Sequence, residues 1–229
     1  MSKFEGAPNR VANNVRLGFT KQVFTPKAFQ AGGKEKYSVQ VRFEKTNPEH
    51  MAFLKQLAAD AREVAEKMWP DESTRPRTPF VGATFSNPVK DGDTAINKLG
   101  VPYREKDPTL EGHYFISASS GTRPAVLNRD NSPILDDSVL YSGCYAQVGL
   151  NVYAYSMEGS RGITVGLNAI RKYGEGERLG GGAPDALAMF GDPLDASYDD
   201  PSNYDGGEET PFDTEQAKTA ANANDPFAF

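Results

Sequence analysis

Three tyrosines, Tyr145, Tyr153 and Tyr155, share one parity of the run from Tyr145 to Tyr155, whose other parity is Ala146, Val148, Leu150, Val152 and Ala154. Successive side chains of a strand point to opposite faces, so the apolar set faces a core and the tyrosines face outward with Gln147, Gly149 and Asn151. Outward aromatics beside cations suit the non-covalent recognition of an unpaired polynucleotide. Bases stack on the rings at roughly 1–3 kcal/mol each, and Lys and Arg neutralise phosphates. By the same parity, Phe115 lies outside the set Tyr114, Ile116 and Ala118, and Phe24 opposes Val15 and Val23. The candidate cations are Lys34, Lys36 and Arg42 near the first strands, Lys98, Arg104 and Lys106 in the middle of the chain, Arg123 and Arg129 in later loops, and Arg171 and Lys172 near the last strand. The competing reading is that the rings cover a second small core or a dimer interface and that the cations are ordinary solvated surface.

Covalent chemistry finds less support. Asp91-Gly92-Asp93 resembles a metal-ligand pair, but the pattern is common in turns and no third ligand can be assigned. His113 has no accompanying nucleophile motif, and Ser142 and Ser160 have no assignable base. Gly180, Gly181 and Gly182 precede no Lys-Ser/Thr pair, which excludes a Walker-type phosphate loop. Two histidines and one cysteine cannot assemble a usual zinc site. Cys144 opens an apolar strand and reads as a small buried residue rather than a nucleophile. The expectation is a binding protein, not an enzyme, with no metal and no cofactor.

The elements that position these residues are mostly strands. Residues 1–14 read as an arm, and Val15 to Phe24 as a strand closed by Thr25-Pro26. Tyr37, Val39, Val41 and Phe43 alternate with Ser38, Gln40 and Arg42, so a hairpin is expected over residues 15–43. Asn47 can cap a helix that Pro48 and Glu49 begin, that Met51, Leu54, Leu57, Ala61, Val64 and Met68 carry at helical spacing, and that Pro70 stops after Trp69. Residues 71–106 are rich in proline and cations and read as a long loop. Strands follow from His113 to Ala118, at Pro124 to Leu127, at Tyr145 to Tyr155, and through Ile163, Val165 and Leu167 to Arg171. Several strands, one helix and long loops predict a mainly β fold, an OB-like Greek-key barrel.

The charge is divided along the chain. Of the 229 residues, Ala183 to Phe229 hold eleven acidic residues against one basic, Lys218, leaving 24 basic and 20 acidic residues in the rest. A mildly basic body with a strongly acidic, aperiodic tail is expected to divide as an arm (1–14), a binding domain (15–182) and a disordered tail (183–229). Such a tail mimics a polynucleotide backbone and can occupy a basic groove until DNA displaces it. Phe227 and Phe229, beside Asp225, are expected to anchor a partner protein's pocket. The start of the chain lacks a secretory pattern, no stretch reaches the ~18–20 apolar residues of a membrane span, and the lone cysteine fits a reducing cytoplasm.

Two segments also carry a resemblance: Tyr141-Ser-Gly-Cys-Tyr-Ala-Gln-Val-Gly-Leu-Asn-Val-Tyr-Ala-Tyr155 and Gly162-Ile-Thr-Val-Gly-Leu-Asn-Ala-Ile-Arg-Lys-Tyr173. With Arg77-Thr-Pro-Phe-Val-Gly82 and Pro88-Val-Lys-Asp-Gly-Asp93, they resemble a bacteriophage family of single-stranded DNA-binding proteins with an OB-fold, long catalogued as a domain of unknown function. The resemblance runs from about Val15 to Gly182. The tail is similar in design to those of phage and bacterial single-stranded DNA-binding proteins, although Pro226-Phe227 is followed here by Ala228-Phe229. The resemblance implies a role in phage DNA replication, recombination or repair in the cytoplasm of an infected bacterial host. The expected partners are single-stranded DNA, a polymerase, helicase-primase, exonuclease or recombinase bound through the tail, and a second copy in a homodimer, with no membrane. The alternative is a phage structural or assembly protein that uses the barrel for protein contacts; a remoter one is a nuclease built on Asp91 and Asp93.

Overall fold

Alternation in the longest apolar run sets the architecture. In the computed structural model, which describes residues 3–28, 32–76, 80–82, 87–157 and 160–179, that run is strand β9 (Tyr145–Met157). Its residues Ala146, Val148, Leu150, Val152 and Ala154 are fully buried, while the intervening ones are half-exposed. The other elements are β1 (Lys3–Gly6), β2 (Arg10–Gly18), α1 (Lys21–Phe24), β3 (Lys27–Ala28), β4 (Glu35–Glu44), α2 (Pro48–Met68), β5 (Val81–Gly82), β6 (Val89–Asp91), α3 (Tyr103–Lys106), β7 (His113–Ser120), β8 (Ala125–Leu127) and β10 (Ser160–Gly174). They belong to one unit, Met1–Gly182; a second, Ala183–Phe229, lies outside the described residues, as do the expectations for Asp225, Phe227 and Phe229.

Five strands close on themselves in the order β4–β2–β9–β10–β7, and β7 pairs back with β4. All these pairings are antiparallel except β10 with β7, which is parallel. Closure removes the unpaired edges of an open sheet. The fold is therefore mainly β and barrel-like, with one long helix, as expected. Val15, Leu17, Val39, Val41, Phe43, Ile116, Val148, Leu150, Val165 and Ile170 join in the core. Helix α2 adds Leu54, Leu57, Ala61 and Val64 from one face. Asn47 caps α2 by accepting the N–H groups of Glu49 and His50 at 2.9 and 3.4 Å, a contribution of about 1 kcal/mol. Arg10 of β2 ties the barrel to the helix through a bidentate bridge to buried Asp60, Nη2 to Oδ1 being 2.7 Å.

Two local expectations are corrected. Residues read as an arm contain β1 and the start of β2, both paired with β9. Their parity is obscured because β2 carries a bulge between Ala12 and Val15, with Asn14 at a positive φ of 50°. The strand expected to run to Phe24 ends at Gly18; Thr20 to Thr25 instead close a helical turn, with Val23 N–H bonded to the Thr20 carbonyl and Thr25 N–H to that of Lys21. Among the described residues, no helix is long and apolar enough to cross a membrane.

Candidate nucleic-acid interface

The outward face of β9 and β10 brings together Tyr145, Tyr153, Tyr155 and Arg171. Each tyrosine is half-buried. Tyr155 pairs across the ladder with Gly162, and Tyr153 with Thr164 on one side and Gly6 on the other. The small neighbours let rings lie along the sheet: a Cβ at Gly166 would stand 3.4 Å from Tyr153 Cε1 and 2.3 Å from Asn151 Oδ1. Burial raises the pKa of Tyr153, with the Tyr155 charge adding to it.

Amides fill the space between the aromatics. Gln147 donates to Asn13 Oδ1 at 2.9 Å, and Asn168 donates to Asn151 and Asn9 at 3.2 and 3.1 Å. Arg171 donates Nε to Gln147 Oε1 at 2.8 Å and Nη1 to Asn131 Oδ1 at 2.9 Å. Its partners among the described residues are thus neutral oxygens, which orient the guanidinium and leave its charge uncompensated for a phosphate.

At the same Tyr145 end of the row, on the strand that flanks β9 opposite β10, Arg16 of β2 faces Tyr145 on one side and Arg42 of β4 on the other. These three, with Asn14, Glu44, His50 and His113, line a cleft of about 410 Å³. Arg16 is oriented by backbone carbonyls, Nε to Gly143 at 3.4 Å and Nη2 to Glu177 at 2.9 Å. Burial lowers the pKa of Arg42, the Asp107 carboxylate opposes that shift, and the like charge of Arg16 directly across the sheet adds to it. Parity reasoning missed Arg16; the signal was its place between inward Val15 and Leu17. His50 is 5% exposed, accepts the Glu44 N–H at 2.9 Å through Nδ1, and places Nε2 3.2 Å from the Asn13 carbonyl. Both ring nitrogens are engaged, which is the pattern of a structural histidine.

Arg42 and Phe115 occupy the outward parity of β4 and β7, but their expected exposure is corrected. Residues 92–112 fold over them. Phe115 is 1% exposed and packs with Ala95, Leu110 and Tyr103, its ring 5.1 Å from that of Tyr103. Arg42 is 2% exposed and donates to Gln40 at 2.8 Å, Thr109 at 2.6 Å and Asp107 at 2.6 Å. Burial would raise the Asp107 pKa, but the Thr109 hydrogen bond and the Arg42 charge outweigh it, and the net shift is downward.

The remaining candidates are dispersed. Phe24 lies in α1, partly buried against the core, with the Arg123 guanidinium 5.6 Å from its ring. Lys172 points to the opposite side from Arg171; it lies 5.2 Å over Tyr141 and bridges Glu175 at 2.6 Å. Arg129 lies 5.6 Å from the ring of Tyr173. Lys34 is exposed before β4 and Lys36 half-exposed within it, while Lys98, Arg104 and Lys106 stand exposed on the segment that covers Phe115. Asp91 and Asp93 both bridge Lys45, at 2.6 and 2.5 Å, so the acidic pair is a salt-bridged turn.

A closed barrel with an outward row of tyrosines, amides and arginines is an OB-like binding module. The model of the family described as Enterobacter phage Enc34, ssDNA-binding protein, matches residues 9–201, and the chain belongs to that family. It is 26% identical over 185 residues to putative protein p50 of Acyrthosiphon pisum secondary endosymbiont phage 1, covering 79% of this chain and 91% of that one. Among solved structures it resembles the single-stranded DNA-binding protein of bacteriophage Enc34 in complex with ssDNA, with a TM-score of 0.60 and 22% identity over 75% of this chain and 89% of that one. A second structure of the Enc34 protein gives a TM-score of 0.58 at 20% identity, covering 82% of this chain and 99% of that one.

Proposed function

We propose that this phage protein binds single-stranded DNA by laying the strand along the outward face of β9 and β10. Tyr145, Tyr153 and Tyr155 stack bases, and Arg16 and Arg171, on the strands either side of β9 at the Tyr145 end of the row, neutralise phosphates. Lys34, Lys36, Lys98, Arg104, Lys106, Arg123 and Arg129 supply the wider field that attracts a polyanion. The observation that carries this reading is the placement of three tyrosines on one strand face, outside the core, beside an arginine whose hydrogen-bond partners are neutral oxygens. Family membership supports it. Stacking uses the π-face that every base has, so the expected sequence preference is small.

The acidic residues 183–229 compete with DNA for this surface, and Asp225, Phe227 and Phe229 recruit a polymerase, helicase-primase, exonuclease or recombinase. The protein thus coats unpaired DNA during phage replication, recombination or repair in the host cell. Fluorescence-anisotropy titration of the full chain with labelled single- and double-stranded oligonucleotides tests the first claim: the single strand binds more tightly. Equal affinity for both forms, or none for either, contradicts it. Removal of residues 183–229 tests the second: DNA binding tightens, and unchanged or weaker binding counts against competition.

A further inference from the structure

The connection after β2 holds a bulky residue in a conformation that bulky residues avoid. Phe19 has a φ of +56°, in the left-handed region, where a Cβ crowds the following carbonyl oxygen. Such a backbone persists only where its surroundings over-determine it. Gly18, just before it, is paired opposite Gln40 of β4. Thr20, just after it, is 2% exposed; its N–H donates to Ser142 Oγ at 3.2 Å, and the two hydroxyls lie 3.3 Å apart. The Phe19 carbonyl accepts the Gln22 N–H at 3.2 Å, and Gly143 N–H donates to the Leu17 carbonyl at 2.8 Å.

All this fixed structure delivers a ring to water. Phe19 is 58% exposed, and among the residues whose burial is described no other phenylalanine is classed as exposed. Neither an exposed ring nor a left-handed backbone helps the fold, so stability offers no reason for this residue here. Its position does: the connection between the first two barrel strands is one of the loops that OB barrels use to hold ligands. The Ser142–Gly143 segment that fastens Phe19 also supplies the carbonyl that orients Arg16 at 3.4 Å, and Arg16 faces Tyr145.

We infer that Phe19 is a further base-stacking residue, extending the row of Tyr155, Tyr153 and Tyr145 past Arg16 onto the loop after β2. This rests on the reading that the chain binds single-stranded DNA. Three variants of the full chain separate stacking from a structural role. Phe19→Gly removes both ring and strain, so it melts at a higher temperature than the parent and binds oligothymidine roughly ten-fold more weakly. Phe19→Leu keeps apolar bulk without a π-face and loses the same affinity. Phe19→Trp retains affinity and shows fluorescence quenching on binding that the parent, whose single Trp69 is 7% exposed, does not.

If the parent binds oligothymidine and the glycine and leucine variants match it, the inference about Phe19 is overturned while the DNA-binding reading stands. A lower melting temperature for Phe19→Gly overturns it too, by making the ring a support of the fold. If the parent itself fails to bind, the functional reading falls first and this inference with it.

Discussion

Tyr155 on β9 sits directly across the ladder from Gly162 on β10, and its ring fills the place a side chain would take. A Cβ at 162 would stand 3.0 Å from the tyrosine hydroxyl oxygen and 3.3 Å from Cζ. Glycine at that position lets the ring lie against the neighbouring strand. Gly162→Val should push the ring off the sheet and weaken binding of a single-stranded oligonucleotide about ten-fold, the effect of losing one stacked base. The fold should tolerate the change, since valine suits a strand. Anisotropy and thermal melting on the same sample check both halves; unchanged affinity would argue that the ring's position is immaterial.

Phe115 and Arg42 should behave in the opposite way. Both are buried, Phe115 under Ala95, Tyr103 and Leu110, and Arg42 against Thr109 and Asp107. Phe115→Ala is expected to cost about 3–5 kcal/mol of stability. At temperatures where the variant is folded, DNA affinity should stay near the parent's. Urea unfolding and anisotropy make the comparison, and a large affinity loss with little loss of stability would place Phe115 in contact with the strand.

The contrast shows what the sequence could disclose. Parity assigned the inward residues of β4, β7 and β9 correctly, because a period of two with one apolar side leaves little choice of face. The capping asparagine, proline and apolar spacing of α2 likewise placed the helix, which runs Pro48–Met68. Parity says which face a side chain takes but not what later folds over it. Phe115 and Arg42 were therefore read as outward and are outward, yet they are covered by a segment whose own pattern is that of a loop. The bulge at Asn14 and the helical turn after Phe19 break the alternation on which strand reading depends. That break hides Phe19, which strand parity would turn inward; Arg16, between inward Val15 and Leu17, was legible by the same alternation.

Acid should loosen the covering segment. The carboxyls of Asp107 and Asp93 are held below the usual aspartate range. For Asp107, burial opposes the Thr109 and Arg42 contacts but is outweighed; for Asp93, Lys45 and the Gly112 N–H act together. A depressed folded-state pKa contributes stability that is fully present above the unfolded value, near 4, and is lost as pH falls through the folded value. Asp107→Asn should cost about 2–3 kcal/mol near pH 7 by leaving buried Arg42 without its counter-charge. The gap from the parent should narrow below pH 4. Urea titrations at pH 7 and pH 3 measure it, and a gap independent of pH would remove the ion pair from the explanation.

Cys144 should be inert in the native protein. It is fully buried, and burial pushes its thiol up to about 11. The thiolate is the reactive form, so a thiol-specific reagent at pH 8 should label the chain only as fast as it unfolds, and quickly in denaturant. Rapid labelling of the folded chain would show that the strand opens locally around Cys144.

Arg171 should reveal itself in salt. Each phosphate neutralised on a single strand contributes a slope of about 0.7 to the fall of log affinity with log salt. Arg171→Ala should reduce the parent's slope by about that amount, while Lys172→Ala, on the opposite side and already bridged to Glu175, should reduce it less. Equal effects from the two would mean that the strand does not follow the outward face of β10.

The row of tyrosines on β9 is the claim on which the others depend. The most direct measurement replaces Tyr145, Tyr153 and Tyr155 together by leucine and titrates parent and variant with a labelled single-stranded oligonucleotide at two salt concentrations. Affinity is expected to fall at least about a hundred-fold, with the salt slope preserved, because bases lose their platforms while phosphates keep their cations. A folded triple variant that binds as tightly as the parent would contradict the claim and move the binding surface elsewhere on the barrel.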